Sequence, residues 1–186
     1  AAEDAVKVSF AVHNSTYRYV YVVIDISGTN LVDCEPKSKL LAPREDHADL
    51  GTVRASNAAE PWTCKWEWTM TFDDPFAVHD DTFRYELPFD TAKRLYCCQG
   101  IDGSFSHQGN LRYSIDWKAK IGTNILAARA GIVTRIKDDS AESGPLPEFI
   151  DKANFLSITH SDHTVGEYLH LKHKGVVVNL GEKVEA

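Results

Sequence analysis

The chain is predicted to be all-β, on three observations. Residues 6–12 place Val6, Val8, Phe10 and Val12 on one face, and residues 62–72 place Trp62, Cys64, Trp66, Trp68, Met70 and Phe72 on one face against Thr63, Lys65, Glu67, Thr69 and Thr71 on the other. No stretch holds an apolar period of 3.6 residues. Turn-forming clusters such as Ser27-Gly28-Thr29-Asn30 and Pro36-Lys37-Ser38 separate the candidate strands.

Taken in order, residues 6–12 form the first strand, and residues 17–26, dense in Tyr, Val and Ile, form the second. Residues 62–72 read as a half-buried antiparallel strand. Its Trp-rich face is assigned to the core rather than to a sugar-stacking platform, because aromatic and polar residues alternate as they do on a buried face. These strands predict an N-terminal antiparallel β-sandwich over residues 1–75. The character changes at Asp73-Asp74-Pro75 and His79-Asp80-Asp81, so residues 76–89 are read as a connection. A second β module is expected over residues 90–186. Its strand-like stretches are 125–136, interrupted by Ala-Ala-Arg-Ala-Gly, then 155–159 and 176–180, with a long irregular loop over 138–151.

With 186 residues the chain is long enough for one large domain or two small ones. The net charge is −7 and no basic block offsets it, which argues against nucleic acid as a partner. No run approaches the roughly 18 apolar residues of a transmembrane helix. The four cysteines lack any CxxC spacing, so a cysteine zinc site is not expected. Ala1-Ala2-Glu3-Asp4 is similar to the residue left by signal-peptidase cleavage, and it predicts a secreted or periplasmic protein. In that compartment Cys34 and Cys64 are the natural disulfide pair, and reduced buried thiols are the alternative.

Five of the eight histidines, His107, His160, His163, His170 and His173, lie in the second module. Neutral imidazoles near a carboxylate suit a zinc site that activates water, whereas isolated histidines on strands are commonly structural. Residue types alone leave the two readings open.

Longer motifs carry a resemblance. Phe105-Ser106-His107-Gln108-Gly109, Tyr113-Ser114-Ile115-Asp116-Trp117 and Gly122-Thr123-Asn124-Ile125-Leu126-Ala127-Ala128-Arg129-Ala130-Gly131-Ile132-Val133 together resemble the first zinc-binding block of the lysostaphin-type zinc metallopeptidases. The segment Ala153-Asn154-Phe155-Leu156-Ser157-Ile158-Thr159-His160, followed by Glu167-Tyr168-Leu169-His170-Leu171, resembles that family's Tyr-x-His-Leu block. The likeness extends upstream through Gln99-Gly100-Ile101-Asp102-Gly103-Ser104 and His79-Asp80-Asp81 to members with an N-terminal β-domain.

The resemblance implies that residues 90–186 form a lysostaphin-type antiparallel β-sheet peptidase-like module, with His107 and Asp116 as zinc ligands and His170 as the catalytic histidine. Zinc would be the cofactor and the peptide cross-links of bacterial peptidoglycan the substrate. His160, His163 and His173 match no functional position of the family and are assigned structural or surface roles. The family's His-x-His motif, which completes the metal site, occurs nowhere in this sequence. The module is therefore expected to be incomplete at its C-terminal side, either as a fragment of a longer peptidase or as a member that has lost the chemistry. In the second case it would be a noncatalytic cell-envelope module that binds peptidoglycan or a hydrolase partner. The chain itself is expected to be inactive or nearly so.

Overall fold

The computed structural model describes residues 6–92, 94–144 and 147–186; residues 1–4, on which the export expectation rests, lie outside them. The fold is all-β, and the helical content of the described residues is confined to two short 3₁₀ turns, Gly109–Leu111 and Pro147–Lys152. Among the described residues no helix is long and apolar enough to cross a membrane.

The first half contains β1 (Lys7–Val12), β2 (Val20–Thr29), β3 (Leu31–Val32), β4 (Lys37–Leu41), β5 (Ala48–Ala55) and β6 (Thr63–Phe72). They form two three-stranded antiparallel sheets, ordered β1-β5-β3 and β4-β2-β6. The period-2 pattern of β2 turns Val20, Val22, Ile24 and Ile26 to one side, where they meet Leu41 of their own sheet and Phe10, Ala48, Leu50 and Val53 of the other in one buried cluster. Each large side chain buried there contributes about 1.5–3 kcal/mol of transfer free energy. Gly28 lets β2 and β6 approach closely, since a Cβ at that position would lie 1.9 Å from the Thr63 carbonyl oxygen.

The Trp-rich strand forms where the alternation places it, but beyond Cys64 its apolar face is not core. Trp66 is 52% and Trp68 60% exposed, and Met70 and Phe72 are exposed as well. Position within the sheet is the reason. β6 is an outer strand, and the opposite sheet reaches it through Phe10, whose ring meets Trp66 edge-on at 5.6 Å. Period-2 alternation fixes which side chains share a face, and the width of the opposing sheet decides whether that face is covered.

The second half contains β7 (Tyr96–Gln99) paired with β8 (Asp116–Lys118), and a four-stranded antiparallel sheet of β9 (Gly131–Lys137), β10 (Phe155–Thr159), β11 (Val165–Leu169) and β12 (Lys183–Val184), ordered β11-β10-β9-β12. Val133, Leu156 and Ile158 are its buried centre. The expected strand over 125–136 begins only at Gly131, because residues 126–128 bond instead to the connection: Leu126 N–H donates to Pro88 O at 3.0 Å and Glu86 N–H to Ala128 O at 2.9 Å. Residues 176–180 are not a strand either. Val176 and Val178 do pack inward on the second core while Val177 is 93% exposed, so the alternation is real, but it has no partner strand among the described residues.

All four cysteines are free thiols: Cys34 and Cys64 both pack on the first core without a bond between them, and Cys97 and Cys98 are exposed. The two halves touch through the loop joining β10 to β11. There the His163 ring stacks on Tyr19 with centroids 4.0 Å apart, and its Nδ1 lies 2.6 Å from Asp74 Oδ2.

Candidate metal centre

The β7–β8 pair builds the site. Its register sets Gln99 opposite Asp116, after an irregularity between Cys97 and Gln99 that ends regular pairing and turns the chain into the loop carrying His107. That loop folds back: His107 N–H donates to Gly103 O at 3.0 Å, and the imidazole is driven inward until only 2% of the residue is exposed.

His107 and Asp116, separated by eight residues of sequence, face each other with Nε2 3.1 Å from Oδ1. The far nitrogen is committed, because Nδ1 donates to the Gly100 carbonyl at 2.8 Å. A carbonyl only accepts, so Nδ1 carries a proton and Nε2 is the nitrogen free to bind a cation. The far oxygen of Asp116 is committed too: the Gln99 side-chain amide donates to Oδ2 at 3.2 Å and to Ser106 Oγ at 2.8 Å. Gln99 is fixed at its other end, where Oε1 accepts from Phe105 N–H at 3.1 Å. Gly103 makes room for it, since a Cβ there would lie 2.2 Å from Gln99 Cγ.

One imidazole nitrogen and one carboxylate oxygen therefore converge with their outer atoms anchored, the arrangement in which protein groups orient metal ligands. Two atoms 3.1 Å apart can both reach a common point at the roughly 2.0–2.2 Å of a zinc bond. Imidazole nitrogen and carboxylate oxygen are two of the donor types that zinc takes. Among the described residues no third His, Cys, Asp or Glu joins them to make a complete metal-holding group.

His170 is not joined to this pair by any hydrogen bond or ion pair among the described residues. It follows β11, is exposed, and adopts a left-handed backbone with φ of 59°. Of the other histidines, His163 stacks on Tyr19 and meets Asp74, and His173 is exposed. His160 is buried and donates from Nδ1 to Ala130 O at 2.9 Å; burial pushes its pKa down, the bond to Ala130 opposes that, and the nearby Arg129 cation adds to the depression.

Residue types did not single out a second polar cluster, around Arg129. The guanidinium is 5% exposed, pairs with Asp162 at 2.8 Å, donates to the Tyr85 hydroxyl at 3.3 Å and covers the Phe83 ring at 4.1 Å. His79 Nε2 lies 3.0 Å from the same hydroxyl, and His79 Nδ1 is 2.9 Å from Asp81 Oδ1. Burial raises the Asp162 pKa, but the Thr164 hydroxyl and N–H and the Arg129 guanidinium outweigh it and hold the carboxyl well below the usual carboxylate range. This cluster fastens residues 79–85 to Arg129 and, through it, to Asp162. The sequence signal for it was the Ala-Ala-Arg-Ala-Gly interruption, a charged residue set among small ones that let it sink.

Compared with protein families, with curated proteins and with solved structures, the chain has no match.

Proposed function

We propose that His107 and Asp116 are two protein ligands of a zinc site, in a secreted or periplasmic metalloendopeptidase-like protein that acts on the peptide cross-links of bacterial peptidoglycan. The observation that carries this reading is the 3.1 Å approach of His107 Nε2 to Asp116 Oδ1, with Gly100 and Gln99 holding the outer atoms. Zinc held there would supply Lewis acidity. The residues of the chain would do the rest: Gly100 fixes the His107 tautomer, Gln99 keeps the Asp116 carboxylate turned toward His107, and the motif likeness alone assigns His170 to a proton or an oxyanion at the reacting carbonyl. A catalytic zinc site takes three protein ligands and one open position. With two ligands in the motifs of this chain, the 186-residue protein is expected to be inactive or nearly so, whatever a longer parent does.

A noncatalytic cell-envelope module that binds peptidoglycan or a hydrolase partner is the second reading. It is favoured by the absence, among the described residues, of a third donor beside His107 and Asp116. The two are separated by one experiment on the 186-residue chain: zinc titration, peptidoglycan solubilisation and sedimentation with insoluble peptidoglycan, each beside His107→Ala. Zinc uptake that His107→Ala abolishes supports the metal site. Zinc uptake equal in both proteins overturns it. Peptidoglycan retention without hydrolysis, equal in both proteins, favours the binding module.

A further inference from the structure

The outer strand β6 carries a pattern that its own sheet leaves unanswered. Its polar face presents Lys65, Glu67, Thr69 and Thr71, and the β2 register sets Glu67 directly opposite Asp25, a like-charge pair that disfavours the contact. No ion pair among the described residues engages Asp25, Lys65 or Glu67. Its apolar face presents Trp66, Trp68 and Met70, all about half exposed or more, at the rim of the first core. β6 is ten residues long and, among the described residues, pairs on one side alone, so its other side offers unpaired backbone groups to an added strand.

We propose that β6 is a self-association edge, at which a second copy of this chain adds its own β6 antiparallel in the register centred on Trp66. That register is selected by the sequence of the strand. It sets Lys65 opposite Glu67 of the other copy twice, by symmetry, and each imported lysine also approaches the Asp25–Glu67 pair that lacks a cation. On the same face it sets Thr63 opposite Thr69. On the apolar face Trp66 meets its own counterpart and Cys64 meets Trp68, so the exposed stripes of two copies pack side by side as cross-strand pairs and their sheets join into one. A shift by one residue would place Lys65 opposite an apolar side chain and turn the stripes away from each other.

The test is charge reversal, read by sedimentation equilibrium across the micromolar range. The wild-type chain is expected to dimerise with a blue shift of tryptophan emission as concentration rises. Lys65→Glu and Glu67→Lys each place like charges opposite one another in the homodimer, so each should raise its dissociation constant about ten- to a hundredfold. An equimolar mixture of the two should dimerise again as a heterodimer, and so should the doubly reversed Lys65→Glu/Glu67→Lys chain. These positions are exposed, and an unchanged circular dichroism spectrum shows that the variants fold. A wild-type chain that stays monomeric overturns the proposal, and so does a dimer indifferent to the reversals. Tryptophan quenching of a monomeric wild type by soluble glycan strands assigns the stripe to a sugar ligand and overturns it equally.

Discussion

Gln99 holds Asp116 by the oxygen that His107 does not face. Its amide donates to Oδ2 at 3.2 Å, while Oδ1 stands 3.1 Å from His107 Nε2. The carboxylate is thus aimed before any cation arrives, and ordering it does not have to be completed on binding.

Gln99→Ala is therefore expected to weaken zinc binding by about ten- to a hundredfold, the usual effect of removing a partner that orients a ligand. Gln99 also ties Ser106 and Phe105 to the strand, so the spectrum of the folded variant must be compared first. Competition against a chromogenic chelator gives the affinity. Unchanged affinity in a folded variant rejects the positioning role.

Gly103→Ala should reach the same readout without removing any polar group. Its Cβ would lie 2.2 Å from Gln99 Cγ and 2.6 Å from Cδ, distances that force the Gln99 side chain aside. Zinc affinity is expected to fall about as far as in Gln99→Ala, and the double variant to fall little further, because both act through one side chain. Additive losses would show that Gly103 acts through the backbone of the loop.

The all-β class and the strands at 6–12, 62–72 and 155–159 were legible because each rests on local alternation or punctuation. The His107–Asp116 approach was reached through a motif likeness, and nothing in the spacing would have given it. Three features were not legible, all for the same physical reason: they depend on what lies across the fold. The exposure of Trp66 and Trp68 follows from the outer place of β6, the non-strand at 176–180 from the lack of a partner, and the Gln99 role from a loop that returns to it. Gln99 opens the Gln99–Ser104 stretch, yet an amide has no acid–base or ligand chemistry that marks it from sequence.

Arg129→Met is expected to destabilise the second module by about 3 kcal/mol, since it strands the Asp162 carboxylate, 17% exposed, without its cation. It also removes the cover over the Phe83 ring. Arg129→Met/Asp162→Asn should cost less than Arg129→Met alone, because the uncompensated charge goes with it. Urea unfolding followed by circular dichroism measures both. A double variant no more stable than the single one would place the loss in packing instead of charge.

Acidification should destabilise the protein in two separate steps, and the sign follows from which state takes up the proton. Burial lowers the His160 pKa from its ordinary 6.5, so below that value the unfolded chain binds more protons than the fold and stability falls; above it the full stability is present. The Asp162 carboxyl is held below its ordinary 3.8, so its contribution is complete above that value and is lost as the pH falls further toward its folded pKa. Urea midpoints at about pH 7, 5 and 3 separate the two windows. His160→Asn keeps a donor for the Ala130 carbonyl and has no charge to gain, so it should shrink the drop between about pH 7 and 5 while leaving the drop below about pH 4 in place. Asp162→Asn should do the reverse. If His160→Asn leaves the first step at its wild-type size, the buried imidazole is not its source.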